Sequence, residues 1–196
     1  MTRLELTSTD ALIVADIQND FLPGGRLAVP NGDKIIDTIN RYIERFVAAK
    51  CPVFATRDWH PPDHCSFEAQ GGPWPVHCVA ETAGAAFSPA LKLPDDVRII
   101  SKACDKDKEA YSAFSGTTLH AQLQRRCVRR LFVCGLATEY CVFHTAKDAV
   151  TCGYTVCLLQ DAIRAIDVQP DDGKRAIERM KAWRVEAIMV QQIVDD

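Results

Sequence analysis

The chain has 196 residues, 47% hydrophobic and 25% charged, the composition of one ordinary globular domain long enough to bury a sizeable core. A net charge of −3 without blocks of like charge argues against a nucleic-acid surface and for a small, weakly charged substrate. No apolar run reaches membrane-spanning length, and the N-terminus lacks the apolar core of a signal peptide. With an odd count of nine cysteines, the expectation is a cytoplasmic protein with reduced thiols, bound to neither nucleic acid nor membrane, its homo-oligomerisation left open.

In chain order, short β-type runs alternate with amphipathic helical stretches. Strands are predicted over 11–16, 52–56, 97–101, 130–135, 154–159 and 185–190, and helices over about 34–49, 117–126, 139–151 and 170–183. Nearly every strand is apolar on both faces, as parallel strands covered by helices must be. The reading is α/β: a single domain over 1–196 built as a doubly wound, Rossmann-like sandwich. The stretch 59–92 stands apart, rich in Pro, Gly and His with little periodicity, and its length and aromatic content favour a binding loop.

Ligands of doubly wound sheets bind beyond the carboxyl ends of the strands, so the residues at those ends belong on one rim. They are Asp16, Asp58 with Trp59 and His60, Lys102, and, through the turn at Leu136 and Ala137, Cys141. Cys141 falls in the first turn of a predicted helix, where unpaired N–H groups and a partial positive charge favour a thiolate. Lys102 lowers the cost of that charge, and the Asp16 carboxylate can take the thiol proton and return it to a leaving amine. This trio suits acyl transfer from an amide, with the N–H groups of Ala137 and Cys141 as the candidate oxyanion donors. Taken singly, each has an alternative role: a polar strand end, a surface charge, a small buried residue.

Asp58 and His60, two apart in an extended segment, point to one side, and His77 completes a facial set with open positions. One carboxylate oxygen and two imidazoles suit zinc, iron or manganese; His64, in the same loop, is a further candidate ligand or a pocket-lining residue. The alternative is a turn whose polar groups satisfy local backbone. No Cys-x-x-Cys pair and no phosphate-binding glycine loop occurs.

The segments Val14 to Phe21, Thr56 to Pro62, Trp74 to Cys78, Ser101 to Ala103, Ala110 to Phe114, Gly135 to Val142 and Thr145 to Ala149 together resemble the nicotinamidases of the isochorismatase-like, or cysteine hydrolase, superfamily. The resemblance implies a three-layer α/β/α sandwich around a six-stranded parallel sheet, and hydrolysis of nicotinamide to nicotinate and ammonia in NAD salvage, with pyrazinamide as a second substrate. It implies Cys141 as nucleophile, Asp16 as base and acid, and Lys102 as the stabilising cation. One divalent metal ion, zinc foremost, would sit on Asp58, His60 and His77 and take the pyridine nitrogen in an open position. Phe21, Trp74 and Tyr111 would enclose the ring, and a cis peptide would join Leu136 to Ala137. Other small-amide or ureido hydrolysis, a catalytically silent metal-binding protein and a thiol redox sensor are the competing readings.

Overall fold

Two hydrophobic clusters sandwich the sheet, and strict alternation along its strands decides which residue joins which. The computed structural model describes residues 3–194. In chain order the elements are β1 (Leu4–Glu5), β2 (Asp10–Ala15), α1 (Ile36–Ala48), β3 (Val53–Asp58), β4 (Arg98–Lys102), α2 (Leu119–Arg125), β5 (Arg130–Leu136), α3 (Phe143–Thr151), β6 (Thr155–Arg164), α4 (Asp172–Ala182), β7 (Glu186–Ile188) and β8 (Ile193–Val194).

Leu12 and Val14 of β2, with Phe132 and Cys134 of β5, face the cluster that contains Ile39, Tyr42, Ile43 and Phe46 of α1. Ala11, Ile13 and Ala15, with Leu131 and Val133, face Leu123, Phe143, Ala146, Ala176 and Met180 of α2, α3 and α4. The buried positions of α1 recur at helical spacing, and Phe46 meets Phe132 edge to face at 5.0 Å between ring centroids. Along its length β2 is buried at every position, which a central parallel strand requires.

Strand order in the six-stranded sheet is β4-β3-β2-β5-β6-β7, with every pairing parallel. The chain steps outward from β2 to β3 and β4, then returns to the other side of β2 for β5. The topological switch point therefore lies between β2 and β5, where such sheets bind ligands. Three extensions go beyond the sequence expectation. Strands β3 and β4 reach Asp58 and Lys102, which pair in register; β6 continues to Arg164; and β1 and β8 form a separate two-stranded parallel ribbon.

The segment after β3 has little regular structure, yet buried side chains pin it. Gln18 donates to the Asp58 and Ala85 carbonyls at 2.8 and 2.9 Å and accepts from the Asp58 N–H at 2.8 Å. Asp20 accepts from Cys78 N–H at 2.8 Å, and Asn40 of α1 both donates to Ala90 and accepts from Lys92. Polar groups of the loop thus find partners that a helix or strand would otherwise supply.

Candidate active site and metal centre

Asp16 follows the last residue of β2, with its backbone in the left-handed region at φ 52 and its side chain fully buried. Neighbouring β3 presents Thr56, whose hydroxyl donates to Asp16 Oδ1 at 2.5 Å. Lys102, ending β4 and 1% exposed, puts Nζ 3.0 Å from Asp16 Oδ2 and 3.2 Å from Cys141 Sγ, and bonds Asp58 as well. Cys141 lies in a single π-helical turn, Thr138–Val142, that runs directly into α3. Asp16, Lys102 and Cys141, separated by up to 125 positions in sequence, therefore converge as the strand-end argument expects.

Gly135 explains how β5 brings its outgoing turn so close to β2. Its φ is 112, the β5–β6 register shifts beside it, and a Cβ there would collide with the Ala15 backbone. The next turn carries Ala137, which lines the same cavity as Cys141, and the Leu136–Ala137 peptide bond is cis.

Charge in this cluster is finely opposed. Burial pushes the Cys141 thiol well above its ordinary range, with Lys102 pulling the other way. Burial also raises the Asp16 carboxyl against the pull of Lys102. Burial works against the Lys102 ammonium, but Asp16 and Asp58 outweigh it and hold the proton on. At Asp58 burial is overcome by Lys102 and His60, which keep the carboxyl below the usual carboxylate range. Asp16 and Cys141 are thus two raised acids competing for a proton beside a fixed cation, a pairing suited to general-base activation of the thiol.

Asp58 and His77 line one side of the cavity and His60 lies beside them; all three are buried, with one ligand atom from each within 4.8 Å of the others. Both ring nitrogens of His60 are buried without a hydrogen-bond partner, and His77 donates Nδ1–H to the Pro75 carbonyl at 2.8 Å, which leaves its Nε2 lone pair free. An orphaned imidazole, a tautomer fixed by a backbone carbonyl and a carboxylate fit a divalent cation. His64 does not join the group: Nε2 donates to the Lys108 carbonyl at 3.1 Å and Nδ1 accepts from Ser66 at 2.7 Å, so both nitrogens are engaged inside the protein. Its ring instead packs against His60 at 4.3 Å. Glu68 is exposed. A second set, Asp16, Asp58 and Cys141, is equally close together but already surrounds the Lys102 ammonium.

The cavity between these groups is a narrow slot with about 40 Å³ of free interior volume. Phe21, Trp74 and Tyr111 line it as the resemblance implies, joined by Tyr140 and by Ile166 from the segment after β6. Trp74 Nε1–H donates to the Tyr111 hydroxyl at 2.9 Å, and the Tyr140 ring lies 5.1 Å from Trp74 and 5.4 Å from Tyr111. These aromatic rings brace one another around an apolar slot above the thiol.

Residues 10–192 match the isochorismatase domain family. The chain belongs to the isochorismatase family. Among family relatives, the nicotinamidase of Escherichia coli strain K12 is 36% identical over 193 residues, covering 88% of this chain and 91% of its own. The pyrazinamidase of Pyrococcus horikoshii, solved in complex with zinc, superposes with a TM-score of 0.89 at 51% identity, covering 92% of this chain and 99% of its own. PnC1 from L. infantum, solved in complex with nicotinate, gives a TM-score of 0.89 at 36% identity over 99% of this chain and all of its own.

Sequence reasoning missed several residues of this isochorismatase-family site. Thr56 and Gln18 lie in matching segments, but their partners sit on other strands, so their contacts carry no local signal. Tyr140 could have been flagged as the aromatic residue adjoining Cys141. Nothing in the sequence places Ile166 in the wall. Among the described residues, no helix is long and apolar enough to cross a membrane.

Proposed function

We propose that this isochorismatase-family protein is a nicotinamidase that hydrolyses nicotinamide to nicotinate and ammonia through a Cys141 thioester. The observation that carries the proposal is one cavity lined by Cys141, Asp58, His77 and an aromatic slot, with Lys102 at 3.2 Å from the Cys141 sulfur, Asp16 at 3.0 Å from Lys102, and His60 grouped with Asp58 and His77. Both the curated relatives and the nicotinate-bound neighbour support the same reading.

Asp58, His60 and His77 would hold the divalent ion, zinc by analogy with the P. horikoshii protein. When bound, such an ion supplies Lewis-acid coordination for the pyridine nitrogen. Phe21, Trp74, Tyr111 and Tyr140 clasp the ring and exclude water, which aims the amide at Sγ. Asp16 takes the thiol proton while Lys102 holds the growing sulfur charge, and Sγ bonds to the amide carbon. The N–H groups of Ala137 and Cys141 receive the oxyanion. Asp16 returns its proton to the amide nitrogen, the C–N bond breaks, and ammonia leaves a thioester. A water that gives its proton to Asp16 then attacks the same carbon, the C–S bond breaks, and the thiol is reprotonated as nicotinate departs.

The test is ammonia release from nicotinamide, pyrazinamide and benzamide by metal-quantified protein. Nicotinamide and pyrazinamide should turn over, and benzamide, lacking the ring nitrogen, poorly. Substantial turnover by Cys141→Ala would refute the covalent route. Turnover of a ureido compound in preference to nicotinamide would favour a different family activity.

A further inference from the structure

Glu139 lies two residues before the nucleophile, and the mechanism gives it no task. Its Oε1 accepts from two successive backbone N–H groups, Ile166 at 3.0 Å and Asp167 at 2.7 Å, while Oε2 is buried without a partner. Ile166 lines the substrate cavity. The segment bearing it enters from the end of β6 and leaves for α4, whose first turn it caps through Asp167 Oδ1 and the Gly173 N–H at 2.8 Å. Asp167 has φ 50, so its backbone conformation must be imposed by these contacts.

We propose that Glu139 is a positioning residue for substrate selection: by clamping the Ile166 and Asp167 amides to the Cys141 turn, it fixes the Ile166 wall and limits the size of the ring the cavity admits. The clamp continues past the last β5–β6 pair, Leu136 with Arg164, and ties the turn leaving β5 to the connection leaving β6. Charge-assisted bonds from two adjacent amides to one carboxylate oxygen define position more tightly than a side-chain packing contact would. Removal of the carboxylate leaves the half-buried Ile166 N–H and the exposed Asp167 N–H to find water, and the wall retreats with them. Binding suffers, whereas Asp16 and Lys102 stay in place at the ends of β2 and β4 and Cys141 is held where its turn runs into α3.

This inference rests on the nicotinamidase reading for its substrate and is tested with Glu139→Ala, Glu139→Gln and Ile166→Ala. For Glu139→Ala, KM for nicotinamide should rise about tenfold with kcat changed less than about threefold, and kcat/KM for a 5-alkyl nicotinamide should rise relative to nicotinamide. Ile166→Ala should reproduce that selectivity change. Glu139→Gln, which keeps an acceptor oxygen, should lie between Glu139→Ala and the parent. Amide hydrogen exchange at Ile166 and Asp167 should accelerate in Glu139→Ala, a readout independent of any substrate. Unchanged exchange would overturn the clamp. Accelerated exchange with kcat and Cys141 alkylation by iodoacetamide falling together, and selectivity unmoved, would overturn the selection role in favour of support for the nucleophile turn. Faster exchange in a protein whose parent does not turn over nicotinamide would refute the substrate assignment while leaving the clamp intact.

Discussion

Lys102→Met is the most discriminating perturbation of the charge arrangement. The ammonium is 1% exposed, 3.0 Å from Asp16 Oδ2 and bonded to Asp58, so its loss leaves two buried carboxylates facing one another. Carboxylate oxygens of Asp16 and Asp58 lie within 4.8 Å; two unit charges at that separation repel by roughly 3–4 kcal/mol at an effective dielectric of about 20. Breaking a buried ion pair by removing one partner costs about 3–5 kcal/mol by the same logic of uncompensated charge. The expected result in chelator-treated protein at neutral pH is a loss of about that size in urea unfolding. Lys102→Met combined with Asp16→Asn removes the repulsion and should restore most of the stability while both variants remain inactive. If the double variant is no more stable than Lys102→Met, or the single variant loses less than about 1 kcal/mol, the reading of Lys102 as the charge that holds this cluster together is wrong.

Thr56→Val removes the hydroxyl that donates to Asp16 Oδ1, and since that bond favours the ionised form, the Asp16 carboxyl should rise further. The acidic limb of kcat/KM should therefore move to higher pH by about one unit, the effect of one hydrogen bond to a charge; a shift to lower pH would contradict the role of Asp16 as base. His60→Ala and His77→Ala should weaken zinc binding at least about 100-fold in competition with a chromophoric chelator, against less than about tenfold for His64→Ala, whose nitrogens bond Ser66 and Lys108. Equal losses at all three positions would make His64 a ligand. Gly135→Ala forces a Cβ into the Ala15 backbone at a φ of 112 and should destabilise the fold by roughly 2–4 kcal/mol in denaturant melts, the range of a core clash plus an unfavourable backbone conformation; an unchanged midpoint would mean the two strands can part without cost. Tyr42→Phe deletes the hydroxyl that donates to Asp161 Oδ1 at 2.6 Å and should cost about 1.5–3 kcal/mol by the same assay, the worth of a hydrogen bond to a charged group.

The fold was legible because its signals are local. Apolar runs such as Leu12 to Ala15 and the helical stripe of α1 carry their burial pattern in their own spacing. Strand ends were legible to within about two residues except that β6 runs on to Arg164, and β3 and β4 reach Asp58 and Lys102, whose polar side chains gave no reason to extend them. The ribbon of β1 with β8 was not legible, since two-residue strands from opposite ends of the chain leave no periodicity to detect.

For the site, residue types and spacing reveal which chemistries are on hand: a thiol at a helix start, a lysine and two aspartates at strand ends, and histidines at ligand spacing. How they are shared depends on the folded chain. Parallel register sets Asp58 opposite Lys102, so one carboxylate serves both the ammonium and the His60 and His77 group. Packing of separate segments assigns His64 to Lys108, Thr56 to Asp16, and the Ile166 wall to Glu139. Residue identity fixes what a group can donate or accept, but its partner is chosen by chain segments tens of residues away, through long-range contacts whose geometry no short window of sequence contains.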